Sequence, residues 1–417
     1  MTTKTIKKIT NANLNIIYKK DIDDTGRDIK LYDVDDCLLV GRNNYYPNIL
    51  IDCKKDTLID PYTEKVMSLQ KTSWYDETYT FNLEYDVIID EPVYFFIYNT
   101  DNYYHFIYDT LSYLFCYFEL DLKCKILVNF SGEHKKELYK FVSETYEMLG
   151  ISDRILFHNK TNFYKKVFIS SSLTFEGVPN NPPRSEIFQI YNKLSRICNI
   201  VSPCTHVYIS RRTWIHNKLD NIGTNYTQRR KMINEDKLVE KLVKLGFREI
   251  FTENMSMVEK ICLFKSAKYV IGSIGGGMCN LIFSNKNTKA ICIESPYFLK
   301  INERFKYSLE IADLKYFSGT KIFCEKNQEI SNYVRVKIID TNSEFYDAIG
   351  EIDYYDNEKY NIIISNNDTG WNIQNIFTTK QFTRNQFIPL DDGLNSPYDV
   401  DIDKLSDLIS YFFQISI

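Results

Sequence analysis

The sequence predicts an α/β protein with two Rossmann-like, doubly wound halves facing one cleft. A β-rich N-terminal section, a β-rich insertion and a closing helix complete the chain. Three observations predict this class. From Val93 to Ser295, short apolar runs alternate with amphipathic stretches of helical length, the pattern of βαβ units around a parallel sheet. The alternation falls into two series, separated by the proline-bearing stretch VPNNPPR at Val178–Arg184. Two of the helical stretches run into a glycine, Gly150 and Gly246, where a left-handed residue would stop a helix. The expected divisions are a β or irregular section over 1–92, one Rossmann-like half over 93–200, a second over 201–312, the insertion over 313–400 and the closing helix over 401–417.

The first 90 residues have no clear rhythm; CLLV (Cys37–Val40) and NILID (Asn48–Asp52) read as short strands among Asp, Asn and Pro. VYFFIY (Val93–Tyr98) predicts a buried strand, followed by a helix over about 103–120. KILVNF predicts a strand, a helix follows over about 133–149, and RILFH and KKVFIS predict two further strands before a helix over about 185–197. The second series runs through HVYIS, the helical NEDKLVEKLVKLGF, REIFTE, the helical SMVEKICLFKSA, and KYVIGS with its triple glycine. GMCNLIFS predicts another helix and KAICIES another strand. Beyond about Asp313 the rhythm breaks, with YVRVKII and NIIIS as strands of the insertion. From Asp401, Leu405, Leu408, Ile409 and Phe412 fall on one helical face.

Composition narrows the function classes. Lys and Arg number 51 against 55 Asp and Glu, a formal net charge of −4, and the dispersed basic residues leave no electrostatic footprint for nucleic acid or an anionic membrane. MTTKTIKKITNANLN has no apolar core of a secretory signal, and there is no run of about 18 apolar residues. A soluble, cytoplasmic protein is therefore expected, in the host cytoplasm if the source is viral. The ten cysteines show neither a C-x-x-C pair nor zinc spacing and read as thiols in a reducing compartment. The abundance of Tyr (32), Phe (27), Asn, Ile and Lys resembles that of AT-rich genomes, which weakens any reading of a tyrosine cluster as a binding platform.

Three segments carry candidate chemistry. In YVIGSIGGGMCNLIF a buried strand meets a glycine turn, and Gly275, Gly276 and Gly277 would admit close backbone approach by a phosphate. The turn is neither G-x-G-x-x-G nor a P-loop, and a glycine turn needed only for packing is the equal alternative. In YISRRTWIHNKLDNIGTNYTQRRKMINED, Arg211 and Arg212 leave a strand end and Arg229 and Arg230 follow. Guanidinium forks suit a diphosphate, whereas a solvated basic loop is the plainer reading. In YNTDNYYHFIYDTLSYLF, His105, Asp109 and Ser112 share one side of a helix. A carboxylate at i+4 can orient an imidazole base, although a satisfied core histidine fits the residues alone at least as well. A metal site would need ligands that no neighbouring His supplies.

Taken in order, these segments resemble glycosyltransferase family 61. The resemblance rests on NYYHFIYDTLSYL, VYISRR, Arg230 followed by Asn234-Glu235, Gly246-Phe247 before MSMVEKICLF, and VIGSIGGGMCN; YDVDIDKL is similar to the family's closing helix. It covers about 93–300 and leaves 1–90 and roughly 315–398 unexplained. One departure stands out: the family usually has His before the glycine turn, and this chain has Ile274.

The resemblance implies a GT-B architecture and inverting transfer from a nucleotide sugar, with a UDP-sugar as donor, to a glycan or glycoprotein acceptor, without an essential metal or other cofactor. It implies His105 as acceptor-side base, with Asp109 as its orienter or as the base itself. It implies donor binding by Arg211, Arg230 and the Gly275–Gly277 turn, with Ser273, Asn280 and Glu235 as further candidates. The alternatives are a nucleotide-sugar epimerase or related GT-B-like enzyme, which would share the diphosphate site, and a degenerate glycan-binding or structural protein, which Ile274 favours.

Overall fold

The computed structural model describes residues 3–5, 15–40, 49–53, 57–60, 65–66, 80–82, 85–129, 137–158, 162–174, 182–196, 202–212, 223, 232–296, 313–321, 333–340, 345–351, 360–364, 387–389 and 398–415. The chain divides into two compact units. The first comprises Met1–Val201, Asn221–Thr224 and Ser256–Cys262; the second comprises Ser202–Asp220, Asn225–Met255 and Leu263–Ile417.

In the first unit, β1 (Ile29–Val40), β2 (Val93–Phe95), β3 (Lys125–Val128), β4 (Ile155–Phe157) and β5 (Asn162–Ser170) share one sheet, in the order β4-β3-β2-β5-β1. The first four in that order are parallel, whereas β1 runs antiparallel to β5. Val93, Tyr94, Phe95, Ile126, Leu127 and Val128 are fully buried, as continuous apolar runs in a doubly covered parallel sheet should be. The N-terminal strands extend this sheet: Asn15–Lys20 pairs with one side of β1, and Ile49–Asp52, Thr57–Asp60 and Lys65–Val66 continue from it as an antiparallel meander.

The helix α1 (Lys140–Met148) ends at Gly150 in the left-handed region, φ +70°. The N–H groups of Gly150 and Ile151 return to the carbonyls of Glu147 and Tyr146, a Schellman motif sealed by buried Ile151 and Tyr146. A second helix, α2 (Ile187–Arg196), buries Ile187, Ile190, Tyr191 and Leu194 at helical spacing.

The second unit is built on five parallel strands: β6 (His206–Ile209), β7 (Arg248–Ile250), β8 (Tyr269–Ser273), β9 (Lys289–Glu294) and β10 (Asp313–Ser318), in the order β7-β6-β8-β9-β10. Along the chain α3 (Glu235–Lys244) lies between β6 and β7, and α4 (Met257–Ser266) between β7 and β8, with its Met257–Cys262 part counted in the first unit. Gly246 closes α3 as Gly150 closes α1, at φ +83° with N–H bonds from Gly246 and Phe247 to Val243 and Leu242. The closing helix α5 (Ile402–Phe413) is capped by Asp401, whose side chain accepts from the Lys404 N–H. Leu405, Ile409 and Phe413 pack with Leu238, Leu242 and Phe247 of the α3 segment onto Tyr208, Ile271 and Ile291 of the sheet. Each such aliphatic or aromatic side chain contributes about 1.5–3 kcal/mol on burial. The insertion contains a separate four-stranded antiparallel sheet, formed by Tyr360–Ile364, Tyr333–Asp340, Phe345–Glu351 and Phe387–Pro389 in that order.

Four readings of the sequence change. The stretch expected as one helix over 103–120 winds as a π turn (His105–Thr110), a 3₁₀ turn (Leu111–Leu114) and a short α-helix (Phe115–Glu119), because side chains intercept its backbone ladder as described below. The residues after the glycines form a six-residue 3₁₀ helix, Met278–Phe283, and not an α-helix. Asp313–Ser318 is the fifth parallel strand; its half-exposed, polar-rich pattern DLKYFS hid an edge strand from any search for buried runs. Cys262 is disulfide-bonded, whereas Cys37, Cys53, Cys116, Cys124, Cys204, Cys279 and Cys292 are outside disulfides. Which thiols meet depends on Cα separations that sequence spacing does not show. Among the described residues no helix is long and apolar enough to cross a membrane.

Candidate functional site

In the first unit, two asparagines start the His105 segment. The Asn99 side-chain oxygen accepts from the N–H groups of Asp101 and Asn102, each at 3.1 Å, and the Asn102 oxygen accepts from those of Tyr104 (3.0 Å) and His105 (3.3 Å). These Asx turns satisfy donors that a helix start leaves open. The Thr110 hydroxyl donates back to the Asn99 carbonyl at 2.8 Å, and the Leu111 N–H reaches the Phe106 carbonyl five residues back, the mark of a π turn.

On this turn His105 Nδ1 lies 2.7 Å from Asp109 Oδ2. An ionised carboxylate only accepts, so the proton of a neutral ring sits on Nδ1 and Nε2 keeps its lone pair. The His105 side chain is 38% exposed and that of Asp109 only 9%, so the orienting group is buried while the ring reaches solvent. Nε2 makes no hydrogen bond among the described residues.

The pair sits on a polar floor. The Thr174 hydroxyl donates toward the Tyr108 carbonyl (3.2 Å) and Asp109 Oδ1 (3.4 Å), and the Ser112 hydroxyl donates to the Asp109 carbonyl (2.6 Å) and lies 2.9 Å from Ser172 Oγ. Asn99 follows the carboxyl end of β2, and Ser172 and Thr174 follow that of β5. Those strands are neighbours at the point where the chain reverses its direction across the sheet, the place where open α/β sheets bind ligands.

The second unit repeats this logic. Its chain order reverses between β6 and β8, and Arg211 follows one strand end while the glycine turn follows the other. Arg211 is buried against Gly275: an ideal Cβ on that glycine would stand 2.7 Å from Arg211 Nη1. None of the three glycines has positive φ, so the requirement for glycine at 275 and 277 is spatial. At Gly277 the crowding atoms are Ile209 Cγ2 (2.6 Å) and Thr252 Oγ1 (3.1 Å), which makes it a packing glycine against β6. The N–H groups of Gly275, Gly276 and Gly277 make no hydrogen bond among the described residues.

Glu235 is buried and gathers three donors on Oε1: the Tyr208 hydroxyl (2.8 Å), the Ser210 hydroxyl (3.2 Å) and the Arg211 N–H (2.8 Å). Its other oxygen has no hydrogen-bond partner among the described residues. Burial raises its carboxyl above the ordinary range, against the lowering effect of the Arg211 N–H and the Tyr208 hydroxyl. Glu235 therefore holds the backbone of Arg211 by a hydrogen bond, while the charge of Arg211 favours the ionised form of the carboxyl. Arg212, the second member of the pair, is bidentate to Glu249 at 2.9 and 2.7 Å and also meets Asp236, so its charge is spent locally.

The two remaining candidates are braces within the turn: Asn280 donates to the Gly277 carbonyl at 2.9 Å, and Ser273 Oγ accepts from the Tyr398 hydroxyl at 2.8 Å. Ile274, just before the glycine turn, is buried, with its N–H on the Ile293 carbonyl. Arg230 lies outside the described residues, as does Arg229. The structure thus brings His105 together with Asp109, and Arg211 with Glu235 and the glycine turn. Sequence reading missed Asn99, Asn102, Ser172, Thr174, Thr252 and Tyr398. Asn99 and Asn102 were legible as Asx-turn residues ahead of a helix; the others act across long sequence separations and left no local signal.

Residues 103–291 match the family model described as Glycosyltransferase 61. Comparison with curated proteins finds no match. The matched span begins in the His105 segment and ends within β9, so it takes in both constellations. The family read from the order of the motifs is the one whose model residues 103–291 match, and glycosyl transfer is the class of activity that this similarity supports.

Proposed function

We propose that the protein is an inverting glycosyltransferase of GT-B type, moving a sugar from a UDP-sugar to a hydroxyl of a glycan or protein-linked acceptor without an essential metal. The observation that carries this reading is the His105–Asp109 pair at 2.7 Å, with the carboxylate buried and the ring exposed. His105 Nε2 removes the proton of the acceptor hydroxyl as that oxygen attacks the anomeric carbon, and Asp109 stabilises the imidazolium that forms. The bond from the anomeric carbon to the diphosphate oxygen breaks, and negative charge grows on the leaving group. Arg211 and the open N–H groups of Gly275–Gly277 are suited to that charge, by fixed guanidinium charge and by donors already in place. Arg230 joins them in this reading.

The test is transfer or hydrolysis of UDP-sugars by the purified protein and by His105→Ala, Asp109→Ala and Arg211→Ala. Loss of turnover in the first two, and of UDP binding in the third, is expected. Wild-type turnover in both His105→Ala and Asp109→Ala would remove the base assignment.

A second reading is favoured by one observation. Ile274 fills, as a buried apolar side chain, the position where the family's pattern has an imidazole beside the turn. A degenerate, glycan-binding protein would then be expected to bind a glycan array while turning over no nucleotide sugar.

A further inference from the structure

Ser273 Oγ, at the end of β8, is not directed at solvent: it accepts from the Tyr398 hydroxyl at 2.8 Å, and both residues are buried. Tyr398 lies 125 residues downstream, beyond the span of the family match. The backbone around it is stitched to the other side of the same site. The Tyr398 carbonyl accepts from the Ile233 N–H at 3.0 Å, and Asn234 makes a reciprocal pair with Val400: its side-chain amide donates to the Val400 carbonyl (2.7 Å) and its oxygen accepts from the Val400 N–H (3.3 Å). Asn234 immediately precedes Glu235, the residue that holds the Arg211 backbone. A third contact pins the ring: a Cβ on Gly319 would stand 2.5 Å from Tyr398 Cδ2, so that glycine is required for the ring to lie where it does.

One short segment therefore touches both arms of the Arg211–Gly275 constellation. Through Asn234 it reaches the residue before the Glu235 anchor, and through its hydroxyl it reaches the residue two positions before Gly275. A hydrogen bond between two buried groups resists the separation of its partners, because a lost partner leaves a buried polar atom unsatisfied. We propose that Tyr398 is a positioning residue for nucleotide-diphosphate binding, its hydroxyl fixing the Ser273 end of the glycine turn relative to Arg211. This inference rests on the donor-site reading above, and it assigns Ser273 to the brace and not to the ligand.

The experiment measures UDP binding by calorimetry for the full chain, Arg211→Ala, Tyr398→Phe, Ser273→Ala and the double variant, alongside thermal unfolding and hydrogen exchange of the peptide spanning 273–280. Tyr398→Phe keeps the ring that fills the space by Gly319 and removes only the hydroxyl. The expected result is UDP affinity about five- to tenfold weaker in Tyr398→Phe. Faster exchange across the turn, an effect in the double variant no larger than in either single one, and a cooperative unfolding transition are expected with it. If the wild type binds UDP and Arg211→Ala loses it, while Tyr398→Phe keeps wild-type affinity and exchange, the positioning role is overturned and the donor site stands. If the wild type binds no UDP, the donor site falls and the positioning role with it.

Discussion

The guanidinium of Arg211 occupies the space that a side chain on Gly275 would need, with Nη1 2.7 Å from the position of an ideal Cβ. Glycine is thus required at 275 by an arginine that leaves the neighbouring strand, and the two positions form one spatial unit although 64 residues separate them.

Gly275→Ala should displace the guanidinium and weaken UDP binding by about tenfold or more, at little cost in stability, because the crowded atom is the far end of a flexible side chain. Gly277→Ala should do the reverse. Its Cβ would press on Ile209 and Thr252, so overpacking should cost about 1–3 kcal/mol in urea unfolding. Calorimetry and denaturation of the two variants side by side test the distinction.

Asp109→Asn should lower turnover by about 10²–10⁴-fold while leaving UDP affinity unchanged. The amide can donate to His105 Nδ1, which would move the ring proton to Nε2 and leave no base facing the acceptor. Steady-state kinetics with UDP titration would separate this from general damage, which would lower both.

Glu235→Gln and Glu235→Ala should differ in sign. Alanine leaves the Tyr208 hydroxyl, the Ser210 hydroxyl and the Arg211 N–H without their acceptor, a loss of about 3 kcal/mol or more. Glutamine retains an acceptor and removes the buried charge. Because burial raises the Glu235 carboxyl, the folded state binds its proton more tightly than the unfolded state. Its contribution to stability is therefore greatest below the unfolded value and is lost as pH rises through the folded one. Glu235→Gln should gain on the wild type as pH is raised from about 4 to about 8, measured by urea unfolding at each pH.

His158 should make the first unit acid-sensitive. Its ring is buried, with Nδ1 3.2 Å from the Tyr164 hydroxyl, and burial lowers its pKa to about 4. At pH above the ordinary histidine value both states are neutral and nothing is gained or lost. Between about pH 6.5 and about pH 4 only the unfolded chain binds the proton, so stability falls with pH at up to about 1.4 kcal/mol per unit. The wild type should lose this increment relative to His158→Gln in melting curves across that window, and parallel curves would refute it.

Much of the architecture was written in local patterns. The buried runs at 93–95, 125–128, 206–209, 269–273 and 289–294 are strands, and Gly150 and Gly246 end their helices, because each such signal needs only its own neighbours. The His105–Asp109 contact was likewise within reach, since positions four apart on a helical turn meet whatever surrounds them. The winding itself was not. Thr110 and Ser112 bond back to Asn99 and Asp109, and hydrogen-bonding side chains of this kind compete with the helical ladder in ways that a hydrophobic period does not record.

By itself, then, the chain determined most of its strands and helices, the family that 103–291 resembles and the short-range His–Asp pair. Three things were decided by contacts between distant segments: the antiparallel joining of 29–40 to 162–170, the use of 313–318 as a fifth parallel strand, and the meeting of Arg211, Glu235, Gly275 and Tyr398. The reason is physical. A strand edge offers the same N–H and C=O groups to any partner, and a buried hydroxyl or carboxylate is satisfied by whichever donor the packing delivers. Periodicity states that such groups must be paired, and only the folded chain selects with what.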